Sequence, residues 1–242
     1  MKPPTPKQQT RVEDLWGYDT AMATNLPPDT LVIGVDEVGR GSAVGPVVAG
    51  AVCWPVGHLS QPDALTHAPW VDDSKRLSPA KRQQTAQALQ THLPPTHWAI
   101  GQASIADIAE LNILNASQLA MVRALQTILA KFPPNTPYHV LVDGNLPLRM
   151  LARERQQPVV KGDSTSWSIA AAAILAKVYR DDLLTQLAQT HPEFAWEKNA
   201  GYLTLTHRTQ LKRLGPTPHH RLGFLGKILT SDTVGAIHES PR

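Results

Sequence analysis

Blocks of apolar and polar residues divide the chain into short strand-like runs and longer helix-like stretches. Two apolar runs rich in β-branched residues, "TLVIGVDE" at 30–37 and "PVVAGAVCW" at 46–54, flank a glycine-rich connector. This pattern predicts an antiparallel hairpin. The runs "HWAIGQASI" at 97–105 and "YHVLVDGN" at 138–145 predict two further strands, and the second of these ends in an acid and a glycine.

Helical periodicity fills the space between these runs. Hydrophobic residues from 104 to 131 recur at helical spacing, with a break expected near 112–115. Ser78 followed by Pro79 predicts the start of a helix, because serine caps a first turn and proline fits the first helical position. Segment 158–189 predicts a brief strand, a turn and a long Ala/Leu-rich helix. Together these elements predict an α/β fold with a mixed sheet, in which functional sites gather where strands end.

Shifts in composition predict four segments. Residues 1–28 are polar and contain five prolines, which predicts a flexible N-terminal tail, and residues 29–190 form the main α/β domain. Residues 191–228 are basic and punctuated by glycine and proline, which predicts a small helical lobe. Residues 229–242 are predicted to be a C-terminal tail.

The composition is that of a soluble globular protein: 42% of the 242 residues are hydrophobic and 18% are charged. The single cysteine, Cys53, lies in an apolar run, so it predicts a buried core residue and excludes a disulfide within the chain. The N-terminal region has no apolar signal-like segment, and the longest charge-free stretch, 41–62, is broken by Gly, Pro and His. We therefore expect a cytoplasmic protein.

Positive charge is concentrated near the C-terminal end. The formal net charge is only +3, yet residues 198–231 carry six Lys or Arg, three His and no acid. Two interpretations fit this segment: a solvated basic face, or a surface that binds the phosphates of a nucleic acid. The charge pattern by itself does not choose between them.

Four acids share one sequence context, because each follows an apolar run and adjoins a glycine or a turn. They are Asp36, Glu37, Asp143 and Asp163. Carboxylates at the ends of neighbouring strands supply the oxygen ligands that Mg²⁺ and Mn²⁺ prefer, so the four predict a divalent metal site. For Asp163, or for Ser164 beside it, a simple helix cap is the alternative.

Asp36 and Glu37 raise a geometric question, because consecutive strand residues point to opposite faces. Both can reach one site only if the strand bends or bulges, which Gly39 and Gly41 would make easy.

Other functional motifs do not match this sequence, because their spacing differs. "GVDEVGRG" has Arg and Gly where a P-loop needs Lys and then Ser or Thr. "GRGSAVG" is one residue too long for a dinucleotide fingerprint, and no zinc spacing or G-x-S-x-G is present.

At "GVDEVGRGSAVGPVVAGAV" the sequence resembles the ribonuclease HII family, and the likeness spans roughly residues 31–224. It continues, in the family's order, through "DDSKRLS", "ELNILNAS", "LVDGN", "VVKGDST", "AAAAILAKVYRD", "NAGYLT" and "GPTPHHRLGF". The resemblance implies an RNase H-like fold with a mixed central sheet, so that residues 29–190 are its catalytic domain and 191–228 its C-terminal helical extension.

The resemblance also implies an activity: an endonuclease that cuts RNA in RNA–DNA hybrids and cuts 5′ to a single ribonucleotide in duplex DNA. The implied mechanism is hydrolysis with two Mn²⁺ or Mg²⁺ ions, which leaves a 3′-OH and a 5′-phosphate. The family's catalytic, metal-binding carboxylates fall on Asp36, Glu37, Asp143 and Asp163, the same four acids that the context indicates.

The implied substrate-binding residues are Gly39, Arg40, Gly41, Lys75 and Tyr202. Backbone groups of the Gly-Arg-Gly turn can approach a sugar closely enough to detect the 2′-OH. Arg40 would either contact a phosphate or pair with an acid to hold the turn. Lys75 is either a phosphate contact or a surface lysine. Tyr202 either packs on the deoxyribose after the ribonucleotide or is a simple packing aromatic.

Three departures from the family pattern concern substrate contacts. Ser42 stands where a proline often follows the turn and is expected to loosen it, Ala173 replaces a usual serine, and "HRLGF" replaces an Arg-Arg-Ser-Phe form.

Two alternative functions remain: a ribonuclease HIII type nuclease, which typically has an extra N-terminal domain, and a non-catalytic hybrid-binding module. The expected partner is RNA–DNA hybrid or ribonucleotide-containing duplex. We expect a monomer, and a replication clamp is a possible protein partner.

Overall fold

The sheet of the protein is built around the predicted hairpin. The structure is a computed structural model and describes residues 5–59, 61 and 71–228. Strand β1 (Leu31–Val38) pairs antiparallel with β2 (Val47–Pro55), and β2 pairs antiparallel with β3 (Trp98–Ala103). On its other side β1 pairs in parallel with β4 (Tyr138–Asp143), which pairs in parallel with β5 (Gln156–Val159). The strand order is β3-β2-β1-β4-β5, so the predicted mixed α/β fold is confirmed.

Seven α-helices and five short 3₁₀ turns are present in the described part of the chain. The α-helices are α1 (Pro6–Ala23), α2 (Val56–Leu59), α3 (Pro79–His92), α4 (Ile105–Leu129), α5 (Trp167–Thr190), α6 (Trp196–Asn199) and α7 (Leu205–Leu214). The 3₁₀ turns are Arg153–Arg155, Gly162–Ser164, Pro192–Phe194, Leu222–Phe224 and Gly226–Ile228. None of the helices in the described residues is long and apolar enough to cross a membrane.

The two long helices cover opposite faces of the sheet. Helix α4 packs with Leu31, Ile33 and Val35 of β1, whereas α5 packs on the face that carries Val32. Gly34 makes the second contact possible, because a Cβ there would lie 2.3 Å from the backbone of Ser168. The even-numbered residues of β1 therefore face α5 and the odd-numbered residues face α4.

The predicted helix starts and breaks agree with the structure. Ser78 is the N-cap of α3 and accepts a hydrogen bond from the Lys81 amide at 3.4 Å. Helix α4 is interrupted at Asn112, which has φ of 65°. The Asn112 side chain accepts from the amides of Leu114 and Asn115, and so restarts the helix as an N-cap does. Cys53 is fully buried, as predicted.

The prediction of a flexible tail over residues 1–28 was wrong for most of that segment. Helix α1 spans Pro6–Ala23 and buries Trp16, whose ring packs edge-on against Trp54 and Trp167. Asp19 is also buried and accepts a hydrogen bond from the Ser168 amide at 2.8 Å. Helix α1 thus belongs to the core that supports α5.

The segment after α5 forms a small core of its own. Phe194, Trp196, Leu211 and Leu225 are buried there, together with Val44 from the turn after β1. A β-bridge between Val44 and His220 joins this segment to that turn. The predicted C-terminal tail, 229–242, lies outside the described residues, and the predicted domain boundaries remain predictions.

Candidate active site

Two of the predicted carboxylates lie side by side because their strands are parallel neighbours. The last paired residues of β1 and β4 are Val35 and Val142, and Asp36 and Asp143 follow them directly. The carboxyl ends of the two strands therefore place these acids at the same edge of the sheet. Asp36 lies on the face covered by α5.

Asp163 reaches the same edge from the turn that precedes α5. The turn spans Gly162–Ser164, and the Gly162 amide donates to Asp143 Oδ1 at 2.7 Å. This hydrogen bond ties the Asp163 turn to the end of β4. The alternative of a helix cap is excluded, because the N-cap of α5 is Ser166, which accepts from the Ile169 amide.

Glu37 approaches from the other face of β1. The register of β1 with β2 continues through Asp36, Glu37 and Val38, so the expected bulge is not found and the two acids leave the strand on opposite sides. The charge of Glu37 nevertheless acts on Asp36, which places both acids at the same end of the strand. Glu37 Oε1 accepts from Arg40 Nη1 at 3.1 Å. The described structure thus shows the second alternative for Arg40, in which it pairs with an acid beside the turn.

The carboxylates repel one another. Burial raises the pKa of Asp36 well above its ordinary value, and the charges of Glu37, Asp143 and Asp163 raise it further. Burial raises the pKa of Glu37 as well, against the opposing effect of Arg40. The pKa of Asp143 is raised by burial and by the charge of Asp163. Such a cluster holds more negative charge than its environment stabilises.

Lys75 supplies one compensating charge. Its side chain is 80% exposed, yet Nζ lies 2.7 Å from Asp163 Oδ2. This hydrogen bond to Asp163 raises the pKa of Lys75. The residues before it hold the loop in place, since Asp72 accepts from Arg11 and Asp73 from Ser164 Oγ. Lys75 therefore lies beside the carboxylate cluster, although most of its side chain is exposed.

The donor set fits a hard divalent cation by its chemistry, because it offers carboxylate oxygens whose mutual repulsion a cation would relieve. Among the described residues, however, no three His, Cys, Asp or Glu side chains already converge as the ligands of one ion. The side chains of Glu37 and Asp163 are directed to Arg40 and Lys75 instead. Cation binding would therefore replace these two ion pairs.

The Gly-Arg-Gly turn after β1 packs against the predicted Tyr202. Gly39 has φ of 95°, and a Cβ there would lie 2.2 Å from Nε of Arg180. A Cβ on Gly41 would lie 3.3 Å from Cε1 of Tyr202, whose ring is half exposed. The structure thus brings Gly41 and Tyr202 close together, at the turn that follows Asp36 and Glu37.

Ser42 does not loosen the turn. Its side chain is fully buried, and Oγ accepts from the Val44 amide and lies within hydrogen-bond distance of the carbonyl oxygens of Val44 and Ala200. The expectation drawn from the missing proline was wrong, because the hydroxyl replaces the ring's rigidity with hydrogen bonds. At the other two departures from the family pattern, Ala173 is a buried residue of α5, and Leu222 of "HRLGF" is exposed.

Two residues of the site were not predicted from the sequence. Arg180 and Arg221 are buried under the turn, and each donates to its carbonyl groups. The available signals were an arginine inside the Ala/Leu-rich helix "AAAAILAKVYRD" and another after two histidines in "HHRLGF". Neither pattern by itself distinguishes a buried arginine from an exposed one.

Solved structures share this fold. The ribonuclease H2 of Pyrococcus horikoshii OT3 superposes with a TM-score of 0.61 at 24% identity, over 82% of this chain and 97% of that one. The PCNA:RNase HII complex from Archaeoglobus fulgidus gives a TM-score of 0.62 at 23% identity, over 83% of this chain and 98% of that one. Bst-RNase HIII in complex with Mn²⁺ gives 0.60 at 20%, over 90% and 72%. The fold is that of the ribonuclease H enzymes.

Sequence comparison identifies the family. The family model of ribonuclease HII matches residues 33–227. A ribonuclease HII of Paramagnetospirillum magneticum is 46% identical over 80% of this chain and 90% of its own length. Another ribonuclease HII, of Parasynechococcus marenigrum, is 40% identical over 95% of this chain and 99% of its own length. The chain belongs to the ribonuclease HII family. It is a metal-dependent endoribonuclease that acts on RNA–DNA hybrids.

Proposed function

We propose that the protein cuts on the 5′ side of a single ribonucleotide embedded in duplex DNA, leaving a 3′-OH and a 5′-phosphate, in addition to cutting RNA in hybrids. The observation that carries this proposal is that Gly41 lies close to Tyr202, in the turn that follows Asp36 and Glu37. The backbone of the turn is then available to the ribose, and the aromatic ring of Tyr202 is available to the sugar that follows it.

The acids are assigned the metal-binding role. Asp36, Glu37, Asp143 and Asp163 would hold two divalent cations, Mn²⁺ or Mg²⁺. Bound cations supply the activated water and stabilise the leaving 3′-oxygen and the phosphate charge. The protein's own contribution is to hold four carboxylates at one edge of a rigid sheet, where their mutual repulsion favours a cation over a bare site.

The turn and its neighbours are assigned substrate recognition. Backbone groups of Gly39 to Gly41 detect the ribose 2′-OH, the group that separates RNA from DNA at one position. Tyr202 packs on the sugar that follows. Arg40 and Lys75, each paired with a carboxylate, exchange these partners for substrate phosphates when a cation takes the carboxylates.

The basic lobe extends this surface along the duplex. Most basic residues of 198–226 are exposed, so they are free to contact phosphates. We propose that the protein acts as a monomer in the cytoplasm. A sliding clamp is the protein partner to test first, since the Archaeoglobus fulgidus enzyme was solved in complex with PCNA.

The experiment is cleavage mapping on a DNA duplex with one ribonucleotide, with Mn²⁺, with Mg²⁺ and with EDTA. We expect a single metal-dependent cut 5′ to the ribonucleotide, abolished in Asp143→Asn. Asp107→Asn is the matched control, because Asp107 is a half-buried carboxylate on α4 that is ion-paired with Arg123. Cutting at other positions, or full activity of Asp143→Asn, would contradict the proposal.

Tyr202→Ala tests the recognition step separately. We expect a larger loss on the single-ribonucleotide duplex than in binding to an all-DNA duplex, because only the former uses the aromatic face. An equal loss for both would argue against a junction-sensing role for Tyr202.

A further inference from the structure

Two buried arginines lie under the turn that follows β1. Arg180, on α5, is 1% exposed, and Arg221, in the C-terminal lobe, is 2% exposed. Arg180 donates to the carbonyl oxygens of Pro46, Ala200 and Val44, at 3.3, 3.3 and 2.9 Å. Arg221 donates to those of Gly45, Gly39 and Arg40, at 2.7, 2.7 and 3.3 Å.

Neither guanidinium group has a carboxylate partner within ion-pair distance in the described part of the chain. Asp181 interacts electrostatically with Arg180, but its carboxylate pairs with Lys177 at 2.6 Å and Arg82 at 3.6 Å. The Nη2 atom of Arg221 is buried and has no hydrogen-bond partner among the described residues. The turn thus rests on two positive charges that these residues do not neutralise.

Burying two cations is unfavourable, because removing a charge from water without a counter-ion is strongly opposed by desolvation. Burial lowers the pKa of Arg221 to about 9, and the neighbouring charge of Arg180 also lowers it. The carbonyl oxygens of the turn and the Phe224 ring, 5.3 Å from the Arg221 guanidinium carbon, offset this cost. The turn is therefore held in one conformation by two groups that have no other partners of opposite charge among the described residues.

The arginines also hold together the two parts of the proposed recognition surface, which are the turn after β1 and the segment that carries Tyr202. Arg180 contacts Gly39 so closely that no side chain would fit there, and it donates to Ala200, two residues before Tyr202. The Ala43 amide donates to the Gly201 carbonyl at 3.0 Å, which fixes the same junction.

We propose that Arg180 and Arg221 are positioning residues for substrate recognition. They lock the Gly39–Gly45 turn to the segment that carries Tyr202, so that the backbone of the turn and the aromatic ring meet the bound strand in one fixed arrangement. The inference rests on the proposed function, in which the turn detects the ribose.

The test measures binding as well as cleavage. Arg221→Gln and Arg180→Gln keep N–H donors but lose the charge, whereas Arg221→Lys and Arg180→Lys keep the charge but lose the planar fork. Arg123→Gln is the matched control, because Arg123 also donates to a carbonyl, that of Gln102, but is paired with Asp107. Affinity for duplexes with and without one ribonucleotide is measured in EDTA across salt concentrations, beside melting temperature and kcat/KM.

We expect the Gln variants to lose roughly tenfold in affinity for the ribonucleotide duplex and to keep the salt slope, because the buried guanidinium groups contact no phosphate. The Lys variants should keep the salt slope but lose the preference for ribonucleotide over all-DNA duplex. In Arg221→Ala, a low concentration of guanidinium chloride should restore part of kcat/KM. If the Gln variants do not fold, the Lys variants and this rescue carry the test.

The inference is overturned if folded variants keep wild-type affinity and preference, or if their losses only match those of Arg123→Gln. Its failure is distinguishable from that of the proposed function. If Gly41→Ala and Tyr202→Ala leave the ribonucleotide preference unchanged, the turn does not detect ribose and the proposed function fails. If they abolish the preference and the arginine variants do not, only the inference fails.

Discussion

Gly41→Ala is the sharpest test of the substrate-binding turn, because the fold tolerates the added methyl group and the substrate should not. The new Cβ would meet only Cε1 of Tyr202, at 3.3 Å, and the backbone of Gly41 is not in the left-handed region. A shift of the half-exposed ring by a few tenths of an ångström relieves the contact. We therefore expect the free energy of unfolding to change by no more than about 0.5 kcal/mol.

The effect on activity should be far larger. The methyl group would stand between the backbone of the turn and the sugar that the turn is proposed to detect. Losing one hydrogen bond to the 2′-OH costs about 1–3 kcal/mol, which corresponds to roughly a 5- to 150-fold loss in kcat/KM. The loss should fall on the single-ribonucleotide duplex.

Two other glycines provide controls for this measurement. Gly17→Ala adds a methyl group in open space on α1 and should leave activity unchanged. Gly39→Ala should instead unfold more easily, because a φ of 95° costs a non-glycine residue roughly 1–3 kcal/mol and its Cβ would collide with Arg180. The assay is kcat/KM on both duplexes, with thermal melts of all three variants. A Gly41→Ala enzyme with wild-type preference for the ribonucleotide duplex would refute the assignment.

Three further predictions concern stability. Asp36→Asn should melt a few degrees higher than wild type in EDTA at neutral pH, because the raised pKa of Asp36 means that its charge opposes folding; an unchanged or lower melting temperature contradicts this. Burial lowers the pKa of His220 from 6.5 to about 4. The unfolded chain therefore binds a proton that the folded chain does not, and up to roughly 3 kcal/mol of stability is lost as pH falls from 6.5 towards 4. His220→Asn should flatten this pH dependence, measured as the melting temperature between pH 6.5 and 4. An equal fall in the melting temperatures of the variant and the wild type would refute the prediction. Trp16→Ala should cost about 3–5 kcal/mol, measured by denaturant unfolding, because its ring packs on Trp54 and Trp167; a cost below 1 kcal/mol would show that α1 is not part of the core.

The sequence predicted the sheet and the long helices well, because their hydrophobic periods of two and 3.6 are local properties. Helix α1 was missed because the prolines of 1–28 suggested a tail. In the structure Pro6 occupies the first helical turn, where its missing N–H is harmless, and Pro27 and Pro28 follow the helix. The prolines therefore bracket the helix instead of interrupting it.

The site was predictable to the extent that it depends on strand ends. That Asp36 and Asp143 lie at one edge of the sheet was predictable, because each acid directly follows a buried strand; their role remains a prediction. The partners of these acids were not predictable, since the pairing of Lys75 with Asp163 joins residues 88 positions apart. The burial of Arg180 and Arg221 was likewise hidden, because it depends on how α5 and the C-terminal lobe enclose one turn.

The regular geometry of β1 links the two halves of the site. The strand continues without a bulge through Asp36 and ends at Val38, one residue before Gly39. Three steps of about 3.3 Å each therefore separate Asp36 from the turn by roughly 10 Å. The strand is held by partners on both sides and by a helix on each face, and the turn is held by two arginines. A ribose seated on the turn would therefore fix which phosphodiester lies at the carboxylates. In this view, the position of the cut relative to the ribonucleotide is set by the length of a rigid strand.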